Sequence, residues 1–398
     1  MSSLRESLKL AHDVITKGSW GNILIIHHDD ADGIISAFLL KKPLEDLGFK
    51  VNTVCLEKLY PEVTKMIFDK IEGKGSLVIF TDLGSPHISM ISKHKPKDLT
   101  VIVVDHHDPE SYYDPHIVHI NPELYGYSGE KEASASTMSY LLGKEIDPKL
   151  VELSFLPIIG SAEIPGPFRG LNLIPLEDAL NKGFVREVSH GKYEVLFYGE
   201  RSLHYNLSSM ISTVSSLGYY RGGPEVALKA CSIGFKGYVK SFYEEMQSLR
   251  SDIFRKGMAI AYRTLKKSKY TQWFHVGKLL YNIGAKALGL LTSQLAFRGR
   301  VDPNLYVFGM MKLNPTIPGL GVMSGDLIKI SGRLPKGLKV KVESKTMPPL
   351  NEIMIKACKG LEGLADGHAY AASGVIPSGF EEKFIEAIDS IVDKVVVS

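Results

Sequence analysis

Short uncharged runs of branched residues, each broken off by acids or histidines, mark the first third of the chain. Residues 23–26 (Ile-Leu-Ile-Ile) lead into His27, His28, Asp29, Asp30, Ala31, Asp32 and Gly33. Residues 76–80 lead into Thr81, Asp82, Leu83 and Gly84, and residues 100–104 into Asp105, His106, His107 and Asp108. Apolar runs this short, bounded by polar residues, predict buried strands. Between them the spacing becomes helical. Ile35, Phe38 and Leu39 predict a helix over 34–40 that runs on toward Leu47, with Pro43 weakening its second half. Residues 4–16 form an amphipathic helical pattern, 49–56 a second strand and 60–71 another helix. A short branched run ends at Ile120, flanked by His116 and His119, which read as surface or edge residues. His87 follows Pro86 and reads as a loop or capping residue. Residues 132–142 predict a helix entered through small residues, whose N-terminus suits either phosphate or close packing. Strands alternating with helices predict a parallel sheet.

Further along, the pattern thins. Pro165, Gly166, Pro167 and Gly170 mark a break, residues 193–197 read as a strand, 209–217 as helical, and Gly218-Tyr-Tyr-Arg-Gly-Gly-Pro as a turn. A long helix follows, with Val239, Phe242, Met246, Leu249 and Ile253 along one face, bracketed by Gly237 and Gly257. Arg263, Lys266, Lys267 and Lys269 make a basic cluster, either a solvated face or a contact for a nucleic-acid backbone. The C-terminal part opens at 272–280, with a helix over 285–296 and strands over 305–310 and 327–333.

Composition adds limits. The chain has 398 residues, enough for two or three domains, with 44% hydrophobic and 23% charged residues, an ordinary soluble balance. A net charge of +3 neither demands nor excludes nucleic acid. Cys55, Cys231 and Cys358 stand singly, with no metal-pair spacing, and suit a reducing cytoplasmic setting. No secretory leader and no membrane-length apolar run is apparent, so no membrane role is expected.

The chemistry lies at the strand ends. His28, Asp30 and Asp32 share one phase of an extended chain, so two carboxylates and an imidazole converge. The bland alternative is a solvated turn with an aspartate helix cap. Asp82 after one strand and Asp105-His106-His107 after the next repeat the arrangement. Ligands of parallel sheets bind beyond the carboxyl ends of the strands, and such donors suit divalent cations. Three acidic strand ends in succession predict a two-metal site.

These segments resemble the first three motifs of the DHH phosphoesterase superfamily: His28-x-Asp30-x-Asp32-Gly33, Asp82, and Asp105-His106-His107. Near the C-terminus, Ser331-Gly332-Arg333 and Asp366-Gly367-His368 resemble the substrate-binding domain of its nuclease branch, whose usual Gly-Gly-His is altered here. The resemblance, closest to archaeal RecJ-like nucleases, implies an α/β protein. It would have a parallel-sheet DHH domain over 1–170, a helical connector with a long bridging helix over 171–270, and a smaller α/β DHHA1-like domain over 271–398. A cleft is expected between the first and last of these. It also implies two Mn2+ or Mg2+ ions ~3.5–4 Å apart. Asp82 would bridge them, with His28 and Asp30 on one and Asp32 and His106 on the other. His107 would bind the scissile phosphate while Asp105 orients a histidine. Arg333, Gly367 and His368 would hold a substrate phosphate or terminal nucleotide.

One departure matters. The family's fourth motif, a Gly-containing turn with one more Asp, corresponds to Gly160-Ser161-Ala162-Glu163, so Glu163 is the only candidate for a ligand to the second metal there. The expected activity is exonucleolytic hydrolysis of single-stranded DNA or RNA in replication or repair. Two alternatives stay open. One is a weakened DHH protein serving as a replisome scaffold, since some archaeal relatives associate with GINS, an assembly of the replicative helicase. The other is a phosphodiesterase for short oligonucleotides.

Overall fold

The computed structural model describes residues 3–71, 75–298 and 301–396. They fall into two units, residues 1–244 with 317–321, and residues 245–316 with 322–398.

In the first unit, the apolar runs are buried strands, as expected. β1 (Asn22–His28), β2 (Val51–Leu56), β3 (Ser76–Thr81), β4 (Thr100–Val104) and β5 (Ile117–Ile120) make one sheet in the order β2-β1-β3-β4-β5. Every neighbouring pair is parallel. β3 is buried along its whole length, which is why its sequence lacks the alternation of a half-exposed strand. The order reverses between β1 and β3, a switch point beyond whose carboxyl ends the ligands of parallel sheets bind. Five helices run through this part of the chain: α1 (Leu4–Lys17), α2 (Ala31–Asp46), α3 (Pro61–Asp69), α4 (Ile88–His94) and α5 (Ala135–Ile146). α2 continues through Pro43 to Asp46. Ile34, Ile35, Leu39 and Leu40 bury its face in the core with Ile23, Ile25, Leu77 and Ile79. α5 packs beside α2 and buries Met138, Tyr140 and Leu142.

The same unit continues through α6 (Phe155–Gly160), α7 (Leu173–Asn181) and an antiparallel three-stranded sheet of β6 (Val185–Ser189), β7 (Lys192–Phe197) and β8 (Glu200–Leu203). α8 (His204–Ser212) then widens into a π-helical turn, Thr213–Leu217, before α9 (Gly223–Ile233). The helix expected over 209–217 is present, its second half wound as a π-helix. α10 (Tyr238–Thr264) holds the unit boundary within its length, and Val239, Met246 and Ile253 of its predicted seam are buried.

The second unit has a mixed six-stranded sheet. β9 (Lys266–Lys267), β10 (Thr271–His275) and β11 (Tyr306–Lys312) lead, past the short pair β12 (Thr316–Ile317) and β13 (Gly321–Val322), to β14 (Leu327–Arg333), β15 (Leu364–Gly367) and β16 (Ala371–Pro377). The order is β15-β16-β14-β11-β10-β9. α11 (Lys286–Arg298), α12 (Lys336–Glu343), α13 (Leu350–Lys359) and α14 (Glu381–Val396) complete it. Phe308, Ile330, Leu350, Ile353 and Phe384 form its core. The glycine-rich stretch near the C-terminus is a hairpin rather than a free loop. Gly367, at φ +133°, lies where a Cβ would stand 2.5 Å from Ala372 Cα, so it is needed for the close crossing of β15 and β16.

Candidate metal centre

In the first acidic loop both carboxylate oxygens of Asp30 have a neighbour. Asp30 is the N-cap of α2, and its Oδ1 accepts the Gly33 N–H at 3.0 Å. Its Oδ2 lies 2.7 Å from His28 Nδ1. The helix cap and the converging donor are thus one residue. Gly33 is required by close approach, since a Cβ there would stand 2.6 Å from the His28 carbonyl oxygen. His27 points away and donates from Nδ1 to the His28 carbonyl at 2.8 Å. Burial drives its pKa down to about 4, so it is a neutral core histidine.

Asp82 stands between two imidazoles. Its Oδ2 is 3.4 Å from His28 Nδ1, and its Oδ1 is 3.4 Å from His106 Nε2. It adopts φ +57°, a left-handed conformation that aspartate tolerates better than most residues. Its backbone N–H is tied to Val104 O at 3.0 Å across to β4. His106 donates from Nδ1 to Gly129 O at 2.8 Å, which leaves Nε2 facing Asp82, with Asp32 Oδ2 at 3.8 Å. Asp105 turns back on its own triplet. Its Oδ1 accepts from the backbone of His106 at 2.7 Å and from His107 Nδ1 at 2.7 Å, and its Oδ2 from Ser85 N at 2.8 Å.

Asp32 sits on the first turn of α2, and its two oxygens accept the Ala135 and Ser136 N–H groups, each at 2.9 Å. The N-terminus of α5 is therefore satisfied by this carboxylate, not held open for phosphate. Behind it, a Cβ on Gly160 would stand 2.2 Å from Ser136 Oγ and 2.8 Å from Asp32 Oδ1. Ser134, Thr137, Ser161 and Asn172 link hydroxyl to amide around this point, all buried. Glu163 ends the following turn, Ser161–Glu163, and is exposed.

Among the described residues, two groups offer ligand atoms that all lie within 4.8 Å of one another: His28, Asp30 and Asp82, and Asp82, His106 and His107. Asp82 belongs to both. Asp32 and Asp105 adjoin them; Glu163 is in neither. Burial lowers His106's basicity, but the Asp82 contact and the charges of Asp32, Asp82 and Asp105 outweigh it and raise its pKa to about 10. Burial and the Asp82 charge push Asp32 up to about 6. Burial opposes the charge on Asp105, yet His107, His106 and the Ser85 N–H hold it below the usual carboxylate range. Asp82 Oδ1 is buried without a hydrogen bond. Crowded buried carboxylates with an unsatisfied oxygen call for a cation, and the imidazole-carboxylate donor set fits Mn2+ or Mg2+-type chemistry.

In the second unit, Arg333 at the end of β14 donates from Nε to Ser293 Oγ at 2.8 Å, and from Nη1 to Ser331 Oγ at 3.0 Å and Gly332 O at 2.7 Å. Among the described residues no carboxylate pairs with it. A Cβ on Gly289 would lie 2.9 Å from Nη2, so that side is kept open by the glycine. Gly367 and His368 lie at the β15–β16 turn, where His368 N bonds Ala371 O. Each lysine of the cluster has an acidic neighbour: Lys266 has Glu382 at 2.9 Å, Lys267 has Asp302 at 3.8 Å and Lys269 has Asp393 at 2.5 Å.

Sequence spacing did not single out several supports. Ser293 lies forty residues from Arg333. His119, expected at an edge, places Nε2 2.7 Å from Ser85 Oγ, and Asn121 Nδ2 donates to both Ser85 Oγ and the His107 carbonyl, each at 2.8 Å. Asp29 is fully buried, with Oδ1 3.4 Å from His28 Nε2.

Residues 22–158 match the family model described as the DHH family, N-terminal domain. A protein of Methanocaldococcus jannaschii described as uncharacterised is 29% identical over 227 residues, 55% of this chain and 51% of its own length. The chain thus spans about half of that curated relative. RecJ of Thermus thermophilus, solved with Mn2+, superposes with a TM-score of 0.64 at 17% identity, over 98% of this chain and 55% of that one. An exonuclease RecJ bound to manganese gives 0.61 at 15% identity over 99% and 95%. CDC45 of Entamoeba histolytica gives 0.58 at 11% identity over 100% of both chains. The fold is that of RecJ-like proteins. No described helix is long and apolar enough to cross a membrane.

Proposed function

We propose, for a chain whose residues 22–158 form a DHH-family N-terminal domain, that it is a divalent-metal-dependent phosphodiesterase, acting as an exonuclease on single-stranded DNA or RNA. The observation that carries this is Asp82, buried between His28 and His106 with a carboxylate oxygen toward each. Two metal ions, when bound there, supply charge neutralisation of the reacting phosphate and an activated water.

The residues divide the work. His28, Asp30 and Asp82 would hold one ion, and Asp82, His106 and Asp32 the other. Asp105 fixes His107 through Nδ1, and the opposite nitrogen of this exposed ring would bind a phosphate oxygen. The Gly129 carbonyl sets the tautomer of His106. Arg333, its guanidinium oriented by Ser293 and Ser331, would take a substrate phosphate or terminal nucleotide, with Gly367 and His368 on the hairpin that pairs with β14. The lysines of β9 carry no part of this, because each already has an acidic partner.

A second reading is favoured by the ground beside Asp32. Serines and an asparagine line it where the family places a carboxylate, and Glu163 lies outside both ligand groups. A loosely held second ion would leave a slow enzyme or a replisome scaffold, with GINS the partner of that role.

Substrate length separates the readings. The protein with Mn2+ is given a long end-labelled single strand and, separately, di- to pentanucleotides. An exonuclease shortens the long strand progressively, a short-oligonucleotide enzyme cleaves only the small substrates, and a scaffold leaves both intact.

A further inference from the structure

The loop that carries Asp30 is held from far along the chain. Ala31 N donates to Ser212 Oγ at 3.0 Å, and Ser216 Oγ donates to the Asp29 carbonyl at 2.8 Å. The partners are 181 and 187 residues apart in sequence. Ser212 closes α8, and Ser216 lies in the π-helical turn Thr213–Leu217, every residue of which is buried. π-turns are rare and recur at functional sites. Here the distorted segment and the residue before it turn two serine hydroxyls onto the loop. They grip the peptide units on either side of Asp30, whose own carboxylate caps α2 and meets His28.

We propose that Ser212 and Ser216 are positioning residues of the metal centre: the end of α8 and the π-turn that follows it clamp the backbone of Asp29–Ala31 so that Asp30 and His28 reach the same ion. The inference rests on the metal-centre reading and extends it to the segment between the β6–β8 sheet and α9. Metal sites demand placement to within about 0.5 Å, and supports behind the ligands are typically worth about 10–100-fold in metal affinity. Neither serine reaches the ligand side chains, so the effect passes through the backbone alone.

The test is Mn2+ affinity, by calorimetry or by the free-ion electron paramagnetic resonance signal, on the full chain freed of metal. Ser212→Ala and Ser216→Ala each weaken binding about tenfold, and the double variant more, while Ser212→Thr keeps the hydroxyl and the native affinity. Ser209→Ala, an exposed serine on α8, changes nothing. Circular dichroism of the metal-free proteins checks that the variants fold. Should the double variant fail to fold, the half-buried Ser212 position decides, through its Ala and Thr variants. If the native protein binds Mn2+ and Ser212→Ala and the folded double variant bind it equally well, the clamp is refuted and the metal centre stands. If the native protein binds no Mn2+, both fall together.

Discussion

Asp82 combines a strained backbone, a buried carboxylate and two imidazole neighbours within a single residue. Strain of that kind costs of order 1–3 kcal/mol and persists only where the surroundings impose it. Without a cation, its neighbourhood is held together by protons. His106, raised to about 10, stabilises the metal-free fold fully below its ordinary 6.5, and that stabilisation is lost as pH rises through 10. Asp32, raised to about 6, likewise favours the fold below 3.8 and ceases to do so as pH passes 6. Both push the metal-free protein toward lower stability at higher pH. A divalent ion replaces the protons, so the rise in melting temperature on adding Mn2+ is expected to be larger at about pH 8 than at about pH 6. Paired thermal melts with chelator or Mn2+ check this; a gap that narrows with pH contradicts it. Arg333→Lys removes the planar fork held by Ser293 and Ser331, and is expected to raise KM about tenfold with little change in kcat. Steady-state kinetics on a single-stranded substrate measure it. Glu163→Ala is expected to leave Mn2+ affinity within about twofold of native, because its exposed side chain is in neither ligand group; a loss of about 1.4 kcal/mol, tenfold, would restore it as a ligand. At this scale the donors of the two groups were legible because each lies at a strand end or within three residues past it. Ser293, Asn121 and the clamp serines were not, because their partners lie tens to nearly two hundred residues away and no spacing rule connects them.

The elements explain why the site forms where it does. β1, β3 and β4 end side by side at the reversal of strand order, and α2 and α5 bring their first turns to the same edge. Asp32 fastens the two helices by accepting from the start of α5. α6 packs behind them at Gly160, where any side chain meets Ser136 and Asp32. Gly160→Ala is therefore expected to destabilise the fold by ~1–3 kcal/mol and to weaken metal binding at the same time. Urea denaturation and Mn2+ titration of the one variant measure both; a neutral result in both would mean that the α5–α6 contact gives way freely. Strand periodicity and helix spacing carried the sheet and its helices. A helical pattern could not announce the π-winding after α8, and the glycines of β15–β16 serve a tight hairpin that no periodicity marks.

At the scale of the molecule, the two units use different chemistry: buried acids and histidines in the first, a partly buried guanidinium in the second. The sheet of the first unit was legible from its charge-free strands. The stretch from 165 to 222 was the least legible, because its three-stranded sheet is short and half-exposed. The net charge of +3 is weak, and the lysines of β9 are internally paired, so strand binding is expected to come from local contacts. A ligand that binds the native state stabilises what it touches. Mn2+ is therefore expected to slow hydrogen exchange around β1, β3 and the π-turn in the first unit and to leave the core strands of the second unchanged. Exchange mass spectrometry would expose equal protection in both, which would contradict a centre confined to the first unit.

The central claim, that this cluster holds metal for phosphodiester hydrolysis, is tested most directly by one side-by-side assay. An end-labelled single strand is incubated with Mn2+ and either the native protein or Asp82→Asn, which keeps the shape and removes the shared charge. The account predicts Mn2+-dependent shortening by the native protein and a loss of at least about a hundredfold in the variant. Equal cleavage by the two proteins would contradict it.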